Sequence, residues 1–191
     1  MNPRAVYTVG HSTRSLEELV GILRAAGVRE LVDVRTAPGS RRNPQFGASA
    51  LSRALPAEGI AYVHEPDLGG FRKPAPDSPN RGWEHPSFVG YADHMATPEF
   101  AAALERLQEH ASEHEVCVMC AEAQWWRCHR RLIADALLVR GWDVRHLGLG
   151  GGPVAHELTP FAVREDARTL RYPPAQGELD VRAAPAREPQ R

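Results

Sequence analysis

Lysine is nearly missing from this chain of 191 residues: Lys73 stands alone among 23 basic side chains, and the rest are arginine. A GC-rich genome produces the same bias, but it leaves most cationic positions as planar forks suited to carboxylate or phosphate. Cysteine is scarce as well. Cys117, Cys120 and Cys128 are an odd number within twelve positions, which suits a thiol or metal site in a reducing compartment better than a disulfide framework. Net charge is almost absent, with 23 basic against 24 acidic residues and a formal value of -1. Bulk charge therefore gives no case for non-specific nucleic-acid or membrane binding. No stretch approaches the ~20 apolar residues of a membrane span, and Met1 to Tyr7 lacks a secretory apolar region. The expected address is cytoplasmic, with no membrane partner. No internal repeat is present.

What remains is ordinary globular composition, 42% hydrophobic and 25% charged, in a length that suits one domain. Ala5 to Val9 reads as a buried strand ended by Gly10. Ser15 and Glu18 then form a capping box ahead of Leu16, Leu19, Val20 and Leu23 on one helical face, stopped at Gly27. Leu31 to Val34 is a second strand, followed by a polar loop from Thr36 to Gly47. A helix around Ser49 to Glu58, disturbed by Pro56, leads to a third strand at Ile60 to Val63. Leu68 to Ser87 is rich in Pro and Gly and reads as a long surface loop, functional or mobile. Thr97-Pro98-Glu99 starts a helix whose core face is Phe100, Leu104, Leu107 and Ala111, with His110 and His114 read as plain surface. Val116 to Met119 is apolar on both faces, as in a central parallel strand. A helix through Leu132, Ile133, Ala136 and Leu137 ends at Gly141; Val144 to Leu147 is the last strand, and Gly148 to Pro153 reads as flexible.

Strand and helix alternating in this way predict an α/β fold: a single-domain, open, mostly parallel sheet with helices on both faces, a Rossmann-like three-layer arrangement over residues 1–173, and a disordered tail over 174–191. Ligands of such sheets sit beyond the carboxyl ends of the strands, and the titratable residues line up there. His11 and Ser12 follow the first strand, Asp33 and Arg35 end the second, His64, Glu65, Gly69 and Gly70 lie beyond the third, and Cys120 and Glu122 follow the fourth. Cys128, His129 and Arg130 open the next helix, and the last strand ends in His146.

Cysteines at a strand end and at a helix start, beside Arg127, His129 and Arg130, point to a nucleophilic or redox thiolate, with Glu122 or a histidine (His11, His129) moving protons. The plainer reading is small buried residues, which is how Cys117 is taken. A Cys/His metal site built from Cys120, Cys128, His129 and His11 or His146 is a rival, although the spacing is not that of a finger or ribbon; no metal residue is assigned and the cofactor stays unknown. Arg35, Arg41, Arg42, Arg72, Lys73, Arg127, Arg130 and Arg131 cluster in post-strand loops and suit a small anionic ligand, a phosphate, carboxylate or nucleotide; otherwise they are solvated or ion-paired. Trp125-Trp126 could stack on a base, which keeps a nucleic-acid or nucleotide binding module open, or pack beneath its own loop. Gly10, Gly69 and Gly70 permit close backbone approach to a ligand.

Val9-Gly10-His11-Ser12, Asp33-Val34-Arg35 with Pro38 and Ser40, Gly59-Ile60-x-Tyr62 leading to Leu68-Gly69-Gly70, Cys120-Ala121-Glu122 with Cys128-His129-Arg130, and His156-x-Leu158-Thr159-Pro160 together resemble the DUF488 family. The resemblance runs from about Tyr7 to Pro173. It implies a small α/β protein of bacterial or archaeal type and, since the family is named for lacking an established function, no reaction. Its pattern includes His11, Ser12, Asp33, Arg35, Cys120, Glu122, Cys128, His129 and Arg130. The resulting expectation is a thiol-dependent enzyme with Cys120, Cys128, Glu122, His129 and His11 in the chemistry. Ser12, Asp33, Arg35, Ser40, Gly69, Gly70, Arg127 and Arg130 would hold the substrate. Oligomeric state is not read from the sequence.

Overall fold

The computed structural model describes residues 5–39 and 42–175. Ser40, Arg41 and nearly all of the tail expected over 174–191 lie outside the described residues. The chain forms a six-stranded sheet in the order β3-β2-β4-β1-β5-β6, from β1 (Ala5–Gly10), β2 (Glu30–Asp33), β3 (Ala61–His64), β4 (Val116–Cys120), β5 (Asp143–His146) and β6 (Val154–Ala155). Five strands are parallel; only the two-residue β6 runs antiparallel, against β5. β4 is buried at every position because it lies between β2 and β1 with helices above and below.

Alternation along β4 divides its side chains between the two layers. Val116, Val118 and Cys120 join a core with α3 (Pro86–His94), α4 (Pro98–Glu113) and α5 (Arg130–Leu138). Cys117 and Met119 join the other, with α1 (Leu16–Ala25) and α2 (Ala48–Ala57). Each fully buried leucine in these cores, such as Leu19, Leu23 or Leu104, contributes on the order of 1.5–3 kcal/mol. The Ser15–Glu18 capping box is formed, Thr97 accepts the Phe100 N–H at the start of α4, and Pro56 sits inside the last turn of α2, one residue before its end.

Because α1 follows β1 on one face and α5 follows β4 on the other, the adjacent ends of β1 and β4 open away from each other. That divergence is the topological switch point where doubly wound sheets place their sites.

Three features differ from the sequence reading. α3 carries no clean helical stripe, and Gly90 in its middle conceals it; a Cβ there would meet the Arg72 carbonyl at 2.4 Å, so the glycine lets the preceding segment pack on the helix. The segment from Leu68 to Ser87 is pinned rather than loose: the Asp93 carboxylate accepts from the Ala75 N–H, the Ser78 hydroxyl and the Asn80 amide at 2.9, 2.5 and 2.8 Å. The antiparallel pair β7 (Val163–Arg164) and β8 (Leu170–Arg171) is too short to leave a periodic signal.

Candidate functional site

Register brings the site together. Gly10 pairs with Cys120 across β1 and β4, and the next two N–H groups continue the ladder past the strand ends, His11 to the Cys120 carbonyl and Ser12 to the Ala121 carbonyl, both at 3.0 Å. Gly10 is glycine because the loop after β4 lies on it; a Cβ would stand 1.8 Å from the Glu122 carbonyl oxygen. Ser12 accepts a left-handed backbone, φ 51°, to make the turn.

The sulfurs of Cys120 and Cys128 are 3.2 Å apart, and both cysteines are unbridged. Between them lies Arg130, 1% exposed. Its Nε–H is shared by Cys120 Sγ at 3.0 Å and Cys128 Sγ at 3.2 Å, and its backbone N–H reaches Cys128 Sγ at 3.4 Å. Its other guanidinium nitrogens donate to Thr8 Oγ1 at 3.2 Å and to the Glu122 carbonyl at 2.5 Å. Among the described residues no carboxylate pairs with Arg130. A buried guanidinium without an anion is strongly unfavourable, and the only ionisable acceptors it touches are the two sulfurs.

The pair splits accordingly. Burial pushes the Cys120 thiol up, and the bond it donates to Cys128 pushes it further. Burial acts against the Cys128 thiolate too. The Cys120 S–H, the Arg130 charge and the two Arg130 N–H groups outweigh it and bring Cys128 down to about 6. Cys128 is also the less deeply buried of the two residues, at 9% exposure against 2% for Cys120.

From Arg130 a buried hydrogen-bonded chain leads away from the sulfurs. Thr8 Oγ1 lies 2.7 Å from His146 Nδ1, His146 Nε2 is 3.0 Å from His156 Nδ1, His156 Nε2 is 2.8 Å from Asp135 Oδ1, and the Tyr172 hydroxyl donates to Asp135 Oδ2 at 2.9 Å. One assignment satisfies every link: Arg130 donates to Thr8, Thr8 to His146, His146 to His156, and His156 to Asp135. Burial, followed by the neighbouring His156 and Arg130, lowers His146 to about 3, so its ring is neutral. Trp125 stacks on that ring at 4.1 Å and 8°.

A second cluster flanks the first. Arg35 grips Asp33 through Nε to Oδ1 at 2.8 Å and Nη2 to Oδ2 at 2.5 Å, gives Nη2 also to the Phe46 carbonyl at 2.7 Å, and lies 3.2 Å from His11 Nε2 through Nη1. Tyr62 donates to Asp33 Oδ2 at 2.8 Å, and burial, then the Asp33 charge, push its hydroxyl up. His11 stacks on Phe46 at 4.3 Å and its Nδ1 donates to the Ser12 carbonyl at 2.8 Å. Burial lowers its pKa, so Nε2 accepts from Arg35.

A family model described as Domain of unknown function DUF488 matches residues 15–137, more than half of the chain. The chain belongs to the DUF488 family. No curated protein and no solved structure matches it. The DUF488 match spans Asp33, Arg35, Gly69, Gly70, Cys120, Glu122, Cys128, His129 and Arg130, while His11, Ser12 and the run from His156 to Pro160 lie outside it.

Within this DUF488 chain the expected residues divide by what they touch. Cys120, Cys128 and Arg130 meet directly, whereas Glu122 meets Cys120 and Arg130 through its carbonyl, with its carboxylate exposed. His129 faces the other way: its Nε2 donates to the Val34 carbonyl at 3.3 Å, its ring lies against Tyr91 at 5.1 Å, and burial lowers it to about 4. Gly70 packs on that ring, and Gly69 faces Thr36 and the Pro66 carbonyl, so the close approach at both glycines is made by the protein's own atoms. Arg35 and Arg130 commit their donors to protein acceptors. Arg127 is exposed and the Ser12 side chain partly so, and neither makes a side-chain hydrogen bond among the described residues. Sequence reasoning passed over Thr8, Asp135 and Tyr172. An acid inside the apolar run Ile133-Ala134-Asp135-Ala136-Leu137 was the available signal.

Proposed function

We propose that this protein is a thiol-dependent enzyme in which Cys128 is the nucleophilic thiolate and Cys120 the second thiol that resolves the bond Cys128 forms. The observation that carries this reading is Arg130, a buried cation whose only ionisable partners among the described residues are two sulfurs 3.2 Å apart. Closing that gap to a disulfide of about 2.05 Å requires a movement of about 1.1 Å, within the range of small side-chain adjustments.

The substrate is a small molecule bearing carboxylate or phosphate, held at the mouth by Arg127 and the Ser12 hydroxyl. Arg35 and Arg130 act from behind, Arg35 by fixing His11 and Arg130 by holding the thiolate. With a low-molecular-weight disulfide the steps balance. The Cys128 thiolate attacks one sulfur, forms a mixed disulfide and expels the other half as thiolate. The Cys120 thiol then gives its proton to that leaving thiolate and attacks the Cys128 sulfur, expelling the second half. The two cysteines lose two electrons and the substrate gains them.

Two other readings are less well supported. Trp125 already stacks on His146, so it does not present a free platform for a base. A metal at the thiols would have to displace guanidinium N–H groups from both sulfurs beside a fixed positive charge.

The test uses oxidised glutathione, a carboxylate-bearing disulfide, with the reduced protein. The expected products are two released thiols per chain and a Cys120–Cys128 disulfide in the peptide map, with Cys117 untouched, and Cys120→Ser stopping at the mixed disulfide on Cys128. A wild-type chain that neither reacts nor closes the bond refutes the proposal.

A further inference from the structure

At the amino-terminal edge of the sheet, opposite the thiols, the start of β2 meets the end of α4. Glu30 opens β2 with its side chain 6% exposed. Its Oε1 lies 2.9 Å from His110 Nδ1 yet has no hydrogen-bond partner, and its Oε2 lies 3.4 Å from His114 Nε2. His110 lies in the last turn of α4 and His114 caps that helix with an extended backbone, and both rings reach Glu30. The three ligand atoms lie within 4.8 Å of one another. Among the described residues this is the one group of three or more His, Cys, Asp or Glu side chains gathered so closely. The two histidines are therefore not plain surface: they cover a buried carboxylate.

An exposed ion pair would not need to bury its acid, and a well-formed one would supply the N–H that Oε1 lacks. Oε1 stands 2.9 Å from an imidazole nitrogen without an aligned hydrogen bond, an arrangement that a shared cation relieves. Ligand atoms on a tetrahedral ion with bonds of about 2.0–2.1 Å stand about 3.3–3.4 Å apart; Glu30 Oε2 and His114 Nε2 already stand 3.4 Å apart, and all three ligand atoms lie within 4.8 Å of one another. The helix end adds its own negative partial charge, because the last carbonyls of α4 point toward this corner.

We propose that Glu30, His110 and His114 bind a divalent first-row transition ion of the zinc type, through two imidazole nitrogens and one carboxylate, with the remaining position open to water. Bound there, the ion clamps the end of α4 to the start of β2 and closes the turn into β4, whose other end carries Cys120. The donor set has no thiolate, so the site is independent of the chemistry proposed for Cys120 and Cys128.

The test titrates chelator-stripped protein with Zn²⁺ alone, by calorimetry and by thermal unfolding, in the wild type, Cys128→Ser, His114→Gln and the double variant His110→Gln/His114→Gln, each checked for folding by circular dichroism. The expected result is one ion per chain in the wild type and in Cys128→Ser. Affinity should fall by about tenfold or more on losing His114, as loss of even a supporting contact costs that much. At a free Zn²⁺ concentration 100 times Kd the wild-type Tm should rise by about 5–10 °C, and that of the double variant should not. Co²⁺ in place of Zn²⁺ should give weak visible bands without the intense thiolate charge-transfer absorption. No binding in the wild type, equal affinity in the double variant, or a thiolate band overturns the proposal and leaves a histidine–carboxylate ion pair only.

Discussion

Replacing Arg130 by methionine removes the cation that contacts both sulfurs while keeping much of its apolar bulk. With Cys128 at about 6, about 90% of it is thiolate at pH 7, against about 3% for an ordinary thiol of pKa ~8.5. Reactivity does not follow that ratio directly, since a less basic thiolate is a weaker nucleophile; with a Brønsted slope near 0.45, a drop of about 2.5 units costs about 13-fold. The net advantage over an ordinary thiol is then only about twofold at pH 7, but roughly 20-fold at pH 5.5, where the thiolate excess is about 240-fold. Restricted access of the reagent to Cys128 slows the reaction by the same factor at every pH and leaves the midpoint unmoved. The assay is iodoacetamide alkylation across pH, with the labelled cysteine located by mass spectrometry. The wild type should label at Cys128 with a midpoint near 6, and Arg130→Met should move that midpoint above the ordinary thiol value, because burial then acts without the opposing charge. A wild-type midpoint at or above ~8.5, or a midpoint indifferent to Arg130, refutes the reasoning.

Three other outcomes follow from the packing. Gly10→Ala drives a methyl group into the Glu122 carbonyl and should cost about 1–3 kcal/mol or more in urea unfolding, with Cys128 losing its low alkylation midpoint as the loop shifts. Tyr172→Phe takes a donor from the fully buried Asp135 carboxylate and should cost about 1.5–3 kcal/mol in the same measurement. His129 and His146, lowered to about 4 and about 3, bind protons in the unfolded chain before the folded one. Stability should therefore fall as pH drops below about 6.5, by about 1.4 kcal/mol per pH unit for each ring until its folded pKa is reached; a flat urea midpoint between pH 6.5 and 4.5 would contradict the burial of these imidazoles.

Much of the fold was legible because its signals are local. Val116 to Cys120 is apolar at every position, which only a strand covered on both faces requires, and Ser15 with Glu18 marks a helix start without any tertiary help. The grouping of polar residues at strand ends followed from the α/β alternation, and the register of β1 against β4 realises it at Gly10 and Cys120. What stayed hidden depends on contacts between distant segments. α3 shows no stripe because Gly90 is chosen for the backbone that packs on it. Arg35 and Arg130 read as ligand forks, since nothing in the sequence tells that one is taken by Asp33 and the other by two sulfurs. His110 and His114 read as surface because Glu30, the group they cover, lies 80 residues earlier than the first of them.

The most direct measurement counts thiolates in the native protein at pH 7 by their ultraviolet absorbance, against the same chain unfolded in acid and against Cys128→Ser. The account predicts close to one thiolate per wild-type chain, lost in Cys128→Ser and in Arg130→Met. A native wild-type chain holding only protonated thiols at that pH would leave Arg130 without its anion and contradict the account at its centre.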